Sequence, residues 1–169
     1  MFVHSRIECY RVMTMKKPRY FLWILAVEAV GLLSGWLSRE GTEQYAEIIK
    51  KPPLSPPGIL FPIVWTILFA LMGAGTARIA AAPGSPERSR ALNVFVIQLA
   101  VNFFWSLIFF NAQAYGFAFL WLVLLWILIV GMIFLFSGVD GLAALLQIPY
   151  LLWVTFAGYL NYAVWRLNP

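Results

Sequence analysis

The stretch FAFLWLVLLWILIVGMIFLF, residues 117–136, decides the fold, because it carries no charged or amide side chain over its whole length. A bilayer core is roughly 30 Å thick, and a helix that rises about 1.5 Å per residue needs about 20 apolar residues to cross it. The stretch is therefore long enough for one membrane-spanning helix. Contact with lipid is the simplest explanation for its two tryptophans, Trp121 and Trp126.

Four further apolar stretches are also long enough to span: residues 20–37, 59–81, 91–110 and 142–165. The chain is 62% hydrophobic and 11% charged, with a mean hydropathy of +0.82, whereas soluble domains are about 45–50% apolar. Unpaired backbone groups are costly in lipid, which excludes open sheets. The sequence predicts an all-α membrane protein, a five-transmembrane-helix bundle that forms one domain over residues 20–168. Residues 1–19 are expected to be a disordered tail.

The net charge of +5 comes from Lys and Arg residues in loops and flanks, a distribution typical of a membrane surface and not of nucleic-acid binding. Eight lie on the side of the N-terminus: Arg6, Arg11, Lys16, Lys17, Arg19, Arg78, Arg88 and Arg90. Four lie on the other side: Arg39, Lys50, Lys51 and Arg166. The positive-inside rule predicts a multi-pass protein of a bacterial cell membrane with a cytoplasmic N-terminus.

Cys9 is the only cysteine and His4 the only histidine, so the sequence predicts neither a disulfide nor a Cys/His metal site. The basic and apolar run after Met15 has no small-residue cleavage site. We expect it to be a retained first helix, with Met13 or Met15 as the natural start.

Three predicted helices carry aromatic and polar side chains at helical spacing. Such stripes face the interior of a bundle. The third span contributes Gln98, Asn102 and Ser106 with Trp105 and Phe109, the fifth Tyr150, Trp153, Ala157 and Asn161, and the second Trp65 and Phe69. Two interpretations remain open: the polar groups are interhelical hydrogen-bonding glue, or the stripes line a site for a flat, largely apolar ligand. Trp105 and Trp153 lie too near mid-span for an interfacial belt.

The proline-rich connector, Lys50–Gly58, reads KKPPLSPPG and precedes the second span. Its prolines fix φ and produce a stiff, extended segment. They either initiate the following helix or form a rigid roof over the mouth of the cavity, with Arg39, Lys50 and Lys51 near it.

The first span contains Glu28, the one acid well inside an apolar run, whose role the sequence leaves unassigned. Gly31 and Gly35 form a GxxxG pattern, which allows two helix backbones to approach closely. We expect these glycines at a homodimer interface, with packing inside one bundle as the alternative.

Three blocks in this order resemble the TspO/translocator-protein family, also called tryptophan-rich sensory proteins or peripheral benzodiazepine receptor homologues. They are KPPLSPPG at residues 51–58 with PIVW at 62–65, NFFWS at 102–106, and PYLLW at 149–153 followed by LNYAVWR at 160–166. The resemblance covers about residues 18–168. Leu54 and Trp121 depart from it, since many members carry a tryptophan and an aspartate at those positions.

The resemblance implies five helices, frequent homodimers and a pocket beneath the first loop that binds porphyrins and isoquinoline or benzodiazepine drugs. The positions that match its pocket motifs are Pro56, Trp65, Phe69, Asn102, Trp153 and Ala157. No cofactor is required, and porphyrin or heme enters as a ligand, with Arg39, Lys50 and Lys51 as candidate partners of its propionates.

The leading hypothesis is a membrane protein that senses, regulates or transports tetrapyrroles and similar flat ligands. A light- or oxygen-dependent porphyrin-degrading enzyme is the alternative. A dimeric scaffold that regulates other membrane proteins is the third. The sequence shows no nucleophile and base pair, which favours binding over catalysis.

Overall fold

A computed structural model describes residues 17–168, and its secondary structure in that range is entirely helical. In chain order the helices are α1 (Tyr20–Leu37), α2 (Arg39–Ile48), α3 (Leu60–Ala81), α4 (Pro86–Ser106), a π-helical segment (Leu107–Asn111), α5 (Tyr115–Ser137), α6 (Gly141–Leu145) and α7 (Ile148–Leu167). Five spans are long and apolar enough to cross a membrane: α1, α3, α4 together with the π-helical segment, α5, and α6 together with α7. The predicted five-helix bundle is confirmed. Residues 1–16 of the predicted tail, with His4 and Cys9, lie outside the described residues.

Helix α5 packs against α4, α6 and α7. Its buried side chains follow steps of four and three residues: Ala118, Leu122, Leu125, Ile129, Met132 and Phe136. This spacing places one continuous seam against the neighbouring helices. Leu120, Ile127 and Phe134 are exposed on the other side of the helix. Trp121 differs from the expected lipid contact, because it is half-buried and its Nε1 donates to the Val101 carbonyl on α4 at 2.8 Å.

Helices α1 and α3 pack closely because glycine at position 73 lets their backbones meet. A Cβ added at Gly73 would lie 2.6 Å from Ile24 Cα and 2.9 Å from the Trp23 carbonyl oxygen. Gly31 makes the reciprocal contact, since a Cβ there would overlap the Phe69 ring. This side-by-side contact brings Phe69 and the aromatic face of α3 toward the bundle axis.

Helix α2 lies between the first two predicted spans, where the sequence analysis predicts no helix. The segment is amphipathic: Gly41, Tyr45 and Ile49 recur every four residues and turn inward, while Glu40, Glu43 and Glu47 are exposed. Gly41 lies against the Phe110 backbone, where an added Cβ would stand 2.5 Å from the carbonyl carbon. The four-residue spacing of these inward-facing residues is the sequence pattern from which the helix could have been predicted.

The observed spans extend past the predicted ones where helices continue into polar sequence. α4 begins at Pro86, five residues before the predicted 91–110, because Ser85 caps it through a hydrogen bond from the Arg88 amide. The last span begins at Gly141 and is interrupted before Ile148, where Pro149 lies in the first turn of α7. Apolar length locates a span but not its ends in the headgroup region.

An ion pair joins three elements at the face of the membrane where α3 ends. The Arg78 guanidinium donates to both oxygens of Asp140, at 3.0 and 2.8 Å, and also to the Tyr20 hydroxyl at 3.3 Å. Asp140 additionally caps α6 by accepting from the Ala143 amide. Burial acts to raise the pKa of Asp140, but the hydrogen bonds from Arg78 and Ala143 and the Arg78 charge together hold it below its ordinary value.

We expect Asp140→Asn to lower the free energy of unfolding by about 1–2 kcal/mol at pH 7, because it removes the ion pair and keeps the cap. Asp140→Ala should cost about 1 kcal/mol more, since the cap is lost too. A carboxylate with a depressed pKa stabilises the fold above its unfolded pKa of about 3.9. The difference between wild type and Asp140→Asn should therefore shrink as the pH falls below about 4. Equilibrium unfolding in mixed micelles at pH 7 and pH 3.5 measures it, and an equal difference at both values would contradict the assignment.

Candidate functional site

The central site is an aromatic wall on α3 that faces a polar stripe on α4 and α7. Trp65 lies 5.4 Å from Phe69 on its own helix and 6.1 Å from Tyr150 on α7, measured between ring centroids. Phe69 and Tyr150 are buried and Trp65 is half-buried. The structure thus brings Tyr150 of the fifth span against Trp65 and Phe69 of the second, as the converging stripes predict.

A chain of buried hydrogen bonds crosses from α4 to α7 behind these rings. Asn102 Nδ2 donates to the Tyr150 hydroxyl at 2.7 Å, and that hydroxyl donates to Gln98 Oε1 at 3.0 Å. All three residues are at most 6% exposed. Since each bond joins two helices, the chain fixes the spacing of α4 and α7 and satisfies polar groups that hydrocarbon could not.

Two buried donors beside this chain have no hydrogen-bond partner among the described residues: Trp153 Nε1 and Gln98 Nε2. The Trp153 ring lies 5.8 Å from Phe61 and 5.7 Å from Phe156. A buried donor without a partner costs about 1–3 kcal/mol. An acceptor supplied by a ligand would remove that cost.

Trp105 and Phe109 belong to a second group, the upper cluster, nearer the connector. Their rings stack at 5.2 Å, and Phe109 also packs 5.4 Å from Tyr45 and 5.1 Å from Tyr115. Trp105 also packs against the main core, so this indole links the upper cluster to the central site.

Asn161, also a predicted ligand residue, is engaged by protein partners on both sides of its amide. It accepts from Trp105 Nε1 at 3.2 Å and donates to the Tyr115 carbonyl at 2.8 Å. Ala157 is buried in the main core on the same helix. At Asn161 the contacts match the hydrogen-bonding interpretation of the stripe.

Ser106 turns away from the central site and toward α1. The Ser106 and Ser34 hydroxyls share a hydrogen bond, and the hydroxyl that accepts in this pair can donate its own proton to the Phe103 carbonyl. Helical spacing had grouped Ser106 with Gln98 and Asn102. The π-helical segment that begins directly after it changes the local helical geometry.

The three cations predicted to meet propionates are exposed and differ in their contacts. Arg39 lies 4.8 Å above the Trp36 ring and is paired with Glu40. Lys51 Nζ donates to the Ala46 carbonyl at 2.7 Å and lies 5.5 Å from the centroid of the Tyr45 ring. Lys51 therefore stands directly above the upper cluster.

Tyr45, the ring beneath Lys51, was not among the predicted site residues. Burial and the nearby Tyr115 raise the pKa of its phenol to about 12. The hydroxyl therefore stays protonated throughout the physiological range. Phe61 was missed as well, although its position four residues before Trp65 places it on the same face of α3.

The connector is tied to the end of α7 by one side chain. Asn168 accepts from the Lys50 amide at 3.1 Å and donates to the Lys50 carbonyl at 3.0 Å. Pro56 is half-buried within the connector. This pairing holds the connector across the end of the bundle where the upper cluster lies.

The two glycines predicted at a dimer interface have different surroundings. Gly31 contacts Phe69 of its own chain. This contact agrees with the alternative interpretation, in which the glycine allows close packing within one bundle. Gly35 is exposed with open space around it. The homodimer stays a prediction, and so does a role for Glu28, which is half-buried on α1.

Comparison with known proteins matches the TspO/MBR family over residues 23–166. Protein CrtK of Rhodobacter capsulatus is 42% identical over 72% of this chain and 76% of its own length. Tryptophan-rich protein TspO of Chlorobaculum tepidum is 40% identical over 83% of this chain and 90% of its own. The tryptophan-rich sensory protein of Cereibacter sphaeroides is 32% identical over 88% of this chain and 90% of its own.

Proposed function

From the premise that this chain belongs to the TspO/MBR family, we propose that it is a membrane receptor for flat, tetrapyrrole-type ligands. The ligand lies between α3, α4 and α7, below the connector. Its role is sensory or regulatory, as the name of the Cereibacter sphaeroides relative, a tryptophan-rich sensory protein, suggests for that protein.

The observation that carries the proposal is a pair of buried donors without a partner among the described residues: Gln98 Nε2, on the side chain that accepts from Tyr150, and Trp153 Nε1, on the ring that packs against Phe61. A polar group on a flat aromatic ligand would accept these hydrogen bonds while Trp65 and Phe61 cover its faces. Sites for small molecules typically combine apolar walls with a few polar groups that fix orientation.

The positive charge of Lys51, at the end of the bundle that the connector covers, supports an acidic ligand. Lys51 stands over Tyr45, and Tyr45 packs on Phe109, which stacks on Trp105. A tetrapyrrole entering along these rings would leave its propionates at the membrane surface, within reach of Lys51. An ammonium there attracts a carboxylate without the desolvation cost of a buried pair.

We expect protoporphyrin to quench tryptophan fluorescence in the purified protein, and we expect Trp65→Phe combined with Trp153→Phe to weaken its binding at least tenfold. The double variant loses stacking area and the free indole donor, which together amount to at least about 1.4 kcal/mol. Trp126→Phe is the matched control, because Trp126 is exposed and donates to Thr155. Affinity within twofold of wild type in the double variant would reject the site.

The same titration separates binding from catalysis. Intact porphyrin recovered after binding agrees with a receptor. A stoichiometric covalent product that disappears in the double variant would instead favour the porphyrin-degrading enzyme.

The N-terminus of the described chain is proposed to face the cytoplasm of a bacterial cell membrane. Lys17, Arg19, Arg88 and Arg90 lie on that face, and Arg39 on the other face is paired with Glu40. Cytoplasmic segments carry the excess of Lys and Arg.

A further inference from the structure

A groove of about 520 Å³ lies at the opposite end of the bundle from the connector, between the start of α1 and the end of α3. It is lined by Lys17, Arg19, Trp23, Ala77, Ala80 and Ala81. The alanines at 77, 80 and 81 share one helical face, and their short side chains leave the space open. The site of the proposed function contains none of these residues.

The groove is positively charged, and its cations are available. Among the described residues, the carboxylates in ion pairs are Glu40 and Asp140, and neither pairs with Lys17 or Arg19. Arg78 is close by on α3 but is already neutralised by Asp140. Lys17 and Arg19 are therefore the charges left for a ligand.

The end of α3 does not oppose an anion, although a helix C-terminus normally would. The Arg88 guanidinium donates to the Ala80 carbonyl at 2.9 Å and to the Ile79 carbonyl at 3.3 Å. The Ile79 carbonyl also accepts from the Ala82 amide, so Arg88 adds a donor to carbonyl groups at the end of the helix and brings a third positive charge beside the groove.

The depth of the groove matches the headgroup layer. α3 has 22 residues and spans about 33 Å at 1.5 Å per residue, so its last turn reaches the edge of the roughly 30 Å hydrocarbon core. Trp23 is half-buried one turn further in, where an indole commonly meets the boundary between acyl chains and headgroups.

We propose that this groove binds one anionic phospholipid, with its phosphate between Lys17 and Arg19 and the start of an acyl chain against Trp23 and the alanines. Residues 1–16 are a poor alternative occupant, because they carry Arg6, Arg11 and Lys16 against the single acid Glu8. The negative phosphate complements the charges of Lys17 and Arg19, and the apolar lining of the groove suits an acyl chain.

Native mass spectrometry of protein released from micelles with phosphatidylglycerol or phosphatidylcholine tests the proposal. We expect wild type to retain one phosphatidylglycerol in preference to phosphatidylcholine, and Lys17→Gln with Arg19→Gln to weaken that retention about tenfold. The matched control, Lys50→Gln with Lys51→Gln, removes two charges from the opposite face and should change retention less than twofold.

Ala80→Leu separates the groove from general attraction to a basic surface, because it fills the space and keeps every charge. It should weaken retention as much as the double glutamine variant does, in protein whose unfolding midpoint is unchanged. Equal effects of the two charge variants, or full retention in Ala80→Leu, would overturn the proposal. So would equal retention of both lipids by wild type, which would mean that neutral lipid or the N-terminal residues fill the groove.

Discussion

Gly73→Leu is expected to destabilise the bundle by about 3 kcal/mol or more, the largest stability effect that the structure predicts. The added side chain would meet the backbone of α1 at Ile24 and Trp23, within 2.6–2.9 Å of the new Cβ. A backbone cannot move aside by changing rotamer, so α1 and α3 must separate. Overpacking of a tight contact typically costs about 1–3 kcal/mol, and more where nothing can relax.

Reversible unfolding in mixed micelles, followed by near-ultraviolet circular dichroism, measures this loss. Gly131→Leu is the matched control, because Gly131 lies inside α5 with no neighbouring atom within 4 Å of an added Cβ. Replacing that glycine should be neutral or stabilising, since glycine is about 1 kcal/mol less favourable than a good helix former. Equal stability of the two variants would contradict the close approach of α1 and α3.

Tyr150→Phe is expected to cost about 2 kcal/mol of stability, although it removes a single oxygen atom. That oxygen accepts from Asn102 and donates to Gln98, so its loss leaves two buried polar groups unpaired at once. Each unpaired group costs about 1–3 kcal/mol in a soluble protein and somewhat less in a membrane bundle.

Tyr159→Phe is the control for this substitution, because Tyr159 is 45% exposed on the same helix. Combining the unfolding measurement with porphyrin titration distinguishes the two interpretations of the stripe. A loss of stability with unchanged affinity would mean that Gln98, Asn102 and Tyr150 only hold the helices together by hydrogen bonds. A loss of both agrees with a site built on them, and no loss of stability would contradict the hydrogen-bond chain itself.

The sequence was sufficient to predict the five spans, because in lipid a helix must pair its own backbone groups and apolar length then decides the outcome. Residues 20–37 were predicted as the first span, and the helix observed is Tyr20–Leu37. Other observed ends differ from the predicted ones. α4 starts in the polar sequence after Ser85, where capping and not hydrophobicity sets the boundary.

Helical spacing predicts which face of a helix is buried but not which neighbour it meets. The four-residue spacing of Gln98, Asn102 and Ser106 correctly predicted that these polar residues lie inside the bundle. It did not predict the neighbour of Ser106, which pairs with Ser34 on α1. Trp105 and Asn161 were predicted as ligand residues on separate helices, and the structure joins them by a hydrogen bond. Their contribution to ligand binding stays a prediction.

The indole N–H resonance of Trp153 tests the central claim most directly. With nitrogen-15 in the tryptophan side chains, Trp153→Phe identifies this signal among those of the eight tryptophans. Protoporphyrin is expected to shift the Trp153 signal strongly, because the buried donor gains an acceptor and lies in the ring current of the ligand. Trp126, bonded to Thr155, should shift little. A saturating porphyrin that leaves the Trp153 resonance in place would contradict a ligand site between α3, α4 and α7.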